Sequence, residues 1–128
     1  MNFIIFVEFL LCFRILTNYE LSNHFRQKDE GKTISILKLD VEGYEFQIIP
    51  HLLQSPILQQ IRQIIVEIHS DDRNERNPED MISMLNSINS LKTKGFQVIS
   101  YDPNLTMGQL FSDDHYYPNF DLSLLKNV

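Results

Sequence analysis

The chain has 128 residues, 43% of them hydrophobic and 22% charged, which is ordinary for a soluble globular domain. Its formal net charge of −6 leaves no basic surplus for phosphate contacts and argues against a nucleic-acid partner. The lone cysteine, Cys12, excludes an internal disulfide and a cysteine-based metal cluster.

The chain begins with an apolar stretch at residues 3–16 that Glu8 interrupts. This stretch is shorter than a membrane span of about 20 apolar residues. As a signal peptide it lacks a preceding basic residue and a following small-residue cleavage site. Three interpretations stay open: a signal or anchor segment, a core element of the fold, or a cryptic start in a truncated chain.

We therefore separate residues 1–18, an apolar N-terminal segment, from residues 19–128, the expected domain. Contact with a membrane is expected only through residues 1–16. The cellular compartment depends on the role of this segment, so the sequence leaves the compartment unknown. The protein is secretory or membrane-anchored if these residues act as a signal, and cytoplasmic otherwise.

The next elements alternate between helix and strand patterns. Residues 19–30 are typical of a short surface helix, and residues 33–40 of a strand buried on both faces. The apolar spacing in residues 44–54 predicts a helix that Pro50 kinks or splits. A second short helix follows, with Ser55 as its N-cap.

Residues 62–69 predict a second strand, and residues 77–95 contain the clearest helix pattern of the chain. Asn77 is the expected N-cap of this helix, and Gly95 suits the position just after its end. The expected apolar stripe consists of Met81, Met84, Leu85, Ile88 and Leu91.

Residues 96–102 predict a third strand, and residues 105–111 a helical turn. Residues 115–125 predict a last, edge-like strand, because Pro118 cannot donate a hydrogen bond to a neighbouring strand. Alternation of strands and helices predicts an α/β fold with a mostly parallel sheet. Three or four strands make a thin sheet, so the chain resembles half of a larger architecture.

Polar residues stand at the carboxyl ends of the first two confident strands. Asp40 ends one strand, with Glu42 in the turn beyond it, and Glu67 and His69 end the next. Parallel neighbours would bring Asp40, Glu67 and His69 to one edge of the sheet, where open α/β sheets bind ligands. These groups could act as a general base or hold a divalent cation, although the sequence alone assigns no metal.

A purely structural interpretation is also open. Glu42 and Glu45 could form an acidic cap of the following helix, with Gly43 needed for a tight turn. His69 by itself is more often a hydrogen-bonded strand-end residue than a metal ligand. Glu67 is harder to explain this way, because a carboxylate inside an apolar strand needs a partner such as Lys38 or a ligand.

The segments "ISILKLDVEGYEFQIIPHLL" and "LQQIRQIIVEIHS" together resemble the C-terminal half of FkbM-type, SAM-dependent methyltransferases. In that family a Lys-Leu-Asp-Val-Glu-Gly-x-Glu segment ends one strand of a Rossmann-like sheet, and a Val-Glu-Ile-His-like segment ends the next. The resemblance covers roughly residues 19–128 and implies a partial Rossmann-like class I methyltransferase sheet, mostly parallel, whose last segment is similar to the family's antiparallel closing strand. It also implies S-adenosylmethionine as cofactor, and a small molecule or glycan as methyl acceptor.

The resemblance implies catalytic roles for Asp40, Glu67 and His69, and cofactor contacts for Asp40 and Glu42. The family holds the methyl donor with a Gly-rich loop after its first strand, and this sequence contains no Gly-x-Gly. We therefore expect that the cofactor half is missing and that the chain as given is inactive. The alternative is a non-catalytic remnant or pseudoenzyme that binds partners, or itself, through an open sheet edge.

Overall fold

A computed structural model of the chain describes residues 3–8, 33–69, 77–104 and 119–127. In chain order its elements are strand β1 (Phe3–Glu8), strand β2 (Ile34–Asp40), helix α1 (Glu45–Gln54), a 3-10 helix (Pro56–Gln60), strand β3 (Ile61–Ile68), helix α2 (Pro78–Thr93), strand β4 (Phe96–Asn104) and strand β5 (Asn119–Lys126). The strands form one five-stranded sheet in the order β1-β2-β3-β5-β4.

Strands β1, β2 and β3 are parallel to one another, and β5 runs antiparallel between β3 and β4. The α/β fold with a mostly parallel sheet and an antiparallel last strand confirms the predicted fold class. The expectation of an edge-like last strand is wrong, because β5 pairs on both sides, and β1 and β4 are the outer strands among the described residues. Pro103 lies in β4, where an edge strand tolerates a residue that cannot donate.

Part of the apolar N-terminal stretch forms β1, which pairs in parallel with β2 so that Glu8 is the register partner of Asp40. The domain boundary after residue 18 stays a prediction. The predicted helix at residues 19–30 and the predicted turn at residues 105–111 lie outside the described residues. Among the described residues, no helix is long and apolar enough to cross a membrane.

Helices α1 and α2 pack against each other on one face of the sheet. The side chains beneath them include Leu39 of β2, Val66 of β3 and Leu122 of β5, which are register neighbours and buried. The opposite face carries half-buried polar groups such as Lys38 and Glu67. Strand β2 therefore alternates in burial. The prediction that it is buried on both faces is wrong.

The helix ends follow the sequence closely. Helix α1 runs through Pro50 without interruption, so the predicted split does not occur. Ser55 accepts a hydrogen bond from the Ile57 N–H at 3.3 Å and caps the predicted second short helix, which is a 3-10 helix. Gly95 follows α2 with φ of 95°, a left-handed conformation that suits glycine.

The predicted apolar stripe of α2 is correct at Met84, Ile88 and Leu91, which are buried. It is wrong at Leu85, whose side chain is 52% exposed. Leu85 is one residue from Met84 in the chain, and a step of one residue turns it away from the sheet around the helix. The periodic pattern therefore predicted the helix and most, but not all, of its buried side.

Candidate functional site

A tight turn at the carboxyl end of β2 begins the site. The Tyr44 N–H donates to the Val41 carbonyl oxygen at 3.2 Å. Glu42 has φ of 51° and Gly43 has φ of 104°, so two successive residues are left-handed. That conformation is free for glycine but costs a glutamate about 1 kcal/mol. The turn reverses the chain and places Glu45 at the first position of α1.

Glu45 is fully buried and joins the two strand ends. Its Oε1 accepts a hydrogen bond from the Val41 N–H at 3.0 Å and lies 2.7 Å from His69 Nδ1. Its other oxygen, Oε2, is buried without a hydrogen-bond partner among the described residues. The N-cap residue Tyr44 makes no side-chain cap. The structural alternative is therefore met in part: Gly43 makes the tight turn and Glu45 lies in the first turn of α1, but its carboxylate bonds Val41 and His69 and caps no N–H group of the helix.

His69 follows the last residue of β3 and is only 3% exposed. With Nδ1 bound to Glu45, its Nε2 faces three carboxylates at the rim of the sheet. The distances from Nε2 are 3.5 Å to Glu42 Oε2, 3.8 Å to Glu67 Oε1 and 3.9 Å to Asp40 Oδ1. The structure thus brings together all four residues that the sequence had selected.

The surroundings of His69 raise its pKa from 6.5 to about 9. Burial is the largest single influence, and it lowers the pKa because it disfavours the charged ring. The hydrogen bond to Glu45 and the charges of Glu45, Glu42 and Glu67 outweigh burial and raise the pKa. At neutral pH the ring is therefore an imidazolium whose Nδ1–H donates to Glu45.

Acidic residues continue across the sheet from Glu67. Asp121 of β5 is the register partner of Glu67 on one side and of Asp102 on the other. Burial raises the pKa of Asp121, and the charges of Asp102 and Asp40 raise it further, while Lys38 and His69 act in the opposite direction. The strand ends therefore form a negatively charged rim around one cationic ring.

Sequence reasoning missed the role of Glu45. Glu45 is one of three acids at the end of β2 and just beyond it, with Asp40 and Glu42. The direction of its side chain depends on the left-handed turn before it. A glutamate four residues after Val41 and buried in the first turn of α1 bonds back to Val41 across that turn. The roles of Asp40, Glu67 and His69 in catalysis, and of Asp40 and Glu42 in cofactor binding, stay predictions.

The α/β sheet with charged residues at the carboxyl ends of parallel strands is the arrangement found in Rossmann-like folds. A sequence model described as "Methyltransferase FkbM domain" matches residues 14–98. The chain belongs to the FkbM methyltransferase family. This confirms the resemblance on which S-adenosylmethionine was inferred as the cofactor.

Two solved structures are similar to the chain. One is the crystal structure of M1.HpyAVI, with a TM-score of 0.48 and 12% identity over 99% of this chain and 56% of that chain. The other is the M1.HpyAVI-SAM complex, with a TM-score of 0.49 and 11% identity over 99% of this chain and 57% of that chain. The chain thus spans little more than half the length of these structures. No curated protein matches it.

The described residues do not fit the whole methyl donor. A Gly-rich loop lets the donor approach the backbone closely, and the described glycines, Gly43 and Gly95, stand singly in turns. The 128-residue sequence has no Gly-x-Gly either. The rim around His69 is polar, charged and partly open to solvent.

Proposed function

We propose that Asp40, Glu67 and His69 form the acceptor side of an O-methyl transfer site in a SAM-dependent methyltransferase. The observation that carries this proposal is their convergence from two adjacent parallel strands onto one rim, with Asp40 and Glu67 both within 3.9 Å of His69 Nε2. The Asp40 side chain is 37% exposed, so an acceptor can reach the rim from solvent.

Methyl transfer to a hydroxyl requires an oriented oxygen that loses its proton. Asp40 and Glu67 are the carboxylates placed to accept that proton. His69, with its pKa raised to about 9, is charged at neutral pH and donates a hydrogen bond from Nε2 toward the acceptor oxygen. Glu45 is a positioning residue, because it holds the His69 ring through Nδ1.

The donor side belongs to the same proposal. Asp40 and Glu42, at the carboxyl end of β2, are the residues proposed to approach the donor. Because no Gly-x-Gly is present, we infer that the 128 residues alone do not hold S-adenosylmethionine and do not transfer its methyl group. Activity then depends on a donor-binding part outside these residues.

Calorimetry with S-adenosylmethionine tests the donor side directly. The expected result for the 128-residue chain is no heat of binding at micromolar to hundred-micromolar ligand. Micromolar binding would show that other residues of the chain cradle the donor.

The acceptor side is tested by NMR with small polyols and methyl glycosides as hydroxyl ligands. The expected result is a ligand-dependent shift of the His69 ring signals that is lost in Asp40→Asn. Glu79→Gln is the matched control, since Glu79 is an exposed acid in the first turn of α2 and the substitution removes the same charge. Shifts that persist unchanged in Asp40→Asn would contradict an acceptor site at this rim.

A non-catalytic interaction module is the second candidate. Strand β4, an outer strand among the described residues, exposes Ile99 at 54% and Tyr101 at 59%, and exposed sheet edges bind other strands. Pro103 and the irregular register between Val98 and Ser100 weaken such pairing. Sedimentation of Ile99→Lys against the parent chain separates the two candidates, because only an edge-bound assembly would dissociate in the variant.

A further inference from the structure

The ring nitrogen Nε2 of His69 lies in a cluster of atoms that could ligate a metal ion. Asp40, Glu67 and His69 each offer one ligand atom, and these three atoms lie within 4.8 Å of one another. Glu42 adds a carboxylate oxygen 3.5 Å from the same nitrogen. We propose that this cluster binds one divalent transition-metal ion of the Mn²⁺ type, with Asp40, Glu67 and His69 as ligands and Glu42 closing the open side.

The spacing of the atoms suits a cation better than direct hydrogen bonds. The distances of 3.8 Å and 3.9 Å from His69 Nε2 to Glu67 and Asp40 are too long for a hydrogen bond. A point equidistant from the three ligand atoms lies at most about 2.5 Å from each, close to metal–oxygen distances in proteins. The side chains therefore need only small adjustments to reach coordination distance.

The second observation is the way His69 is held. Its side chain is only 4% exposed, its Nδ1 is 2.7 Å from the buried Glu45, and its Nε2 points into the carboxylates. Metal-binding histidines nearly always donate their other ring N–H to a carboxylate or carbonyl, which fixes the ring and makes it a better ligand. Glu45 occupies that supporting position, so the cluster is more than a group of surface acids.

The composition of the cluster selects the kind of metal. One imidazole favours a divalent transition ion over Ca²⁺, which prefers oxygen ligands alone, and the carboxylates suit Mn²⁺, which serves as the spectroscopic probe. The burial of the ligands is graded, from 4% exposure at His69 to 24% at Glu67 and 57% at Glu42. The cation can therefore enter from solvent on the side of Glu42, whereas the ligand on the opposite side, His69, is buried.

In the metal-bound form the cation takes the place of the Nε2 proton, since the same carboxylates attract either charge. Binding of the cation does not require that the chain transfer methyl groups. Because the cation and a hydroxyl acceptor would use the same atoms of Asp40, Glu67 and His69, the two proposals compete for this rim, and Mn²⁺ binding and hydroxyl-ligand binding are measured separately to show which of them fails.

Electron paramagnetic resonance of the chelator-treated chain with added Mn²⁺ tests the proposal at pH 8. The parent chain is expected to bind one Mn²⁺, measured as loss of the free-ion signal, and Mn²⁺ is expected to bind more tightly than Mg²⁺. Loss of a ligand in Glu67→Gln or Asp40→Asn is expected to weaken binding at least about 10-fold. Both side chains are partly exposed, so these variants should fold.

Asp102→Asn is the matched control, because it removes one exposed carboxylate from β4, which β5 separates from the strands of the cluster. Its Mn²⁺ affinity is expected to stay within about twofold of the parent chain. Pulsed resonance should also show coupling to a ring nitrogen that disappears in His69→Gln. Absence of stoichiometric binding, or equal weakening in Asp102→Asn and Glu67→Gln, or no nitrogen coupling, would overturn the proposal.

Discussion

The two helices of the chain begin in opposite ways. Helix α2 opens with a reciprocal pair, in which Asn77 Oδ1 accepts from the Asp80 N–H at 2.8 Å and Asp80 Oδ2 accepts from the Asn77 N–H at 3.3 Å. Helix α1 has no side-chain cap, and its first acid, Glu45, is fully buried against His69. An acid in the first turn thus stabilises its own helix in one case and joins two strand ends in the other.

This difference separates local stability from site construction. The pair at the start of α2 is exposed and involves only neighbours in sequence. The contact at the start of α1 spans 24 residues and is buried. Substitutions at the two helix starts should therefore differ in both their cost and their effect on His69.

The largest effect is expected for Glu45→Ala. The substitution removes the carboxylate that is hydrogen-bonded to Nδ1 of the buried His69 cation, and breaking a buried ion pair costs about 4 kcal/mol. Urea unfolding should show this decrease in the free energy of unfolding. Glu45→Gln should cost less, because the amide oxygen can still accept from the Val41 N–H. Equal stability of Glu45→Ala and the parent chain would mean that the Glu45–His69 contact contributes nothing.

The second effect is a dependence of stability on pH in the metal-free chain. The pKa of His69 is about 9 in the fold against 6.5 ordinarily, so the folded state holds the proton more tightly. The resulting stabilisation, about 3 kcal/mol, is complete below pH 6.5 and is lost as the pH rises through about 9.

Urea midpoints at pH 6, 8 and 10 measure this dependence. His69→Gln should remove the decline between pH 6 and 10 that is specific to this site. His51→Gln is the control, because His51 is exposed and lies in the last turn of α1, away from the rim. An identical decline in the parent chain and in His69→Gln would assign it to other groups.

A smaller effect is expected at the start of α2. Asn77→Ala removes the cap and should cost about 1 kcal/mol of unfolding free energy. The pKa of His69 should not change, since neither residue of the capping pair contacts the ring. Chemical denaturation and an NMR titration of the same sample measure the two quantities. A shift of the His69 pKa in this variant would show that the two helix starts are coupled.

The smallest net effect is expected for Glu42→Gly. Glycine relieves the left-handed strain, worth up to about 1 kcal/mol, while the loss of an exposed carboxylate near His69 acts in the opposite direction. The free energy of unfolding should change by less than about 1 kcal/mol, and the pKa of His69 should fall. Glu42→Asn keeps a residue tolerant of that conformation and serves as the comparison. An unchanged pKa in both variants would remove Glu42 from the site.

The sequence predicted which residues meet at the rim, but not the hydrogen bond that holds His69 in place. The sequence predicts that Asp40, Glu67 and His69 lie close together, because parallel strands align their carboxyl ends. The hydrogen bond between Glu45 and His69 could not be predicted, because it depends on the left-handed backbone of two residues and on a side chain that turns back across them. The capping pair at Asn77 was partly predictable, since capping is local in sequence.

The place of β5 shows a second limit. Pro118 suggested an edge strand, yet β5 lies between β3 and β4. Which strands become neighbours depends on packing of the whole sheet, and a proline just before a strand does not restrict the residues that follow it.

The most direct test of the account is an NMR titration of the His69 ring in the metal-free chain and in Glu45→Gln. The central claim is that His69 is a buried cation held by Glu45 between the ends of β2 and β3. The predicted result is a pKa of about 9 in the parent chain, with both ring nitrogens protonated at pH 7, and a clear fall in Glu45→Gln. A pKa at or below 6.5, or the same value in both chains, would contradict the claim.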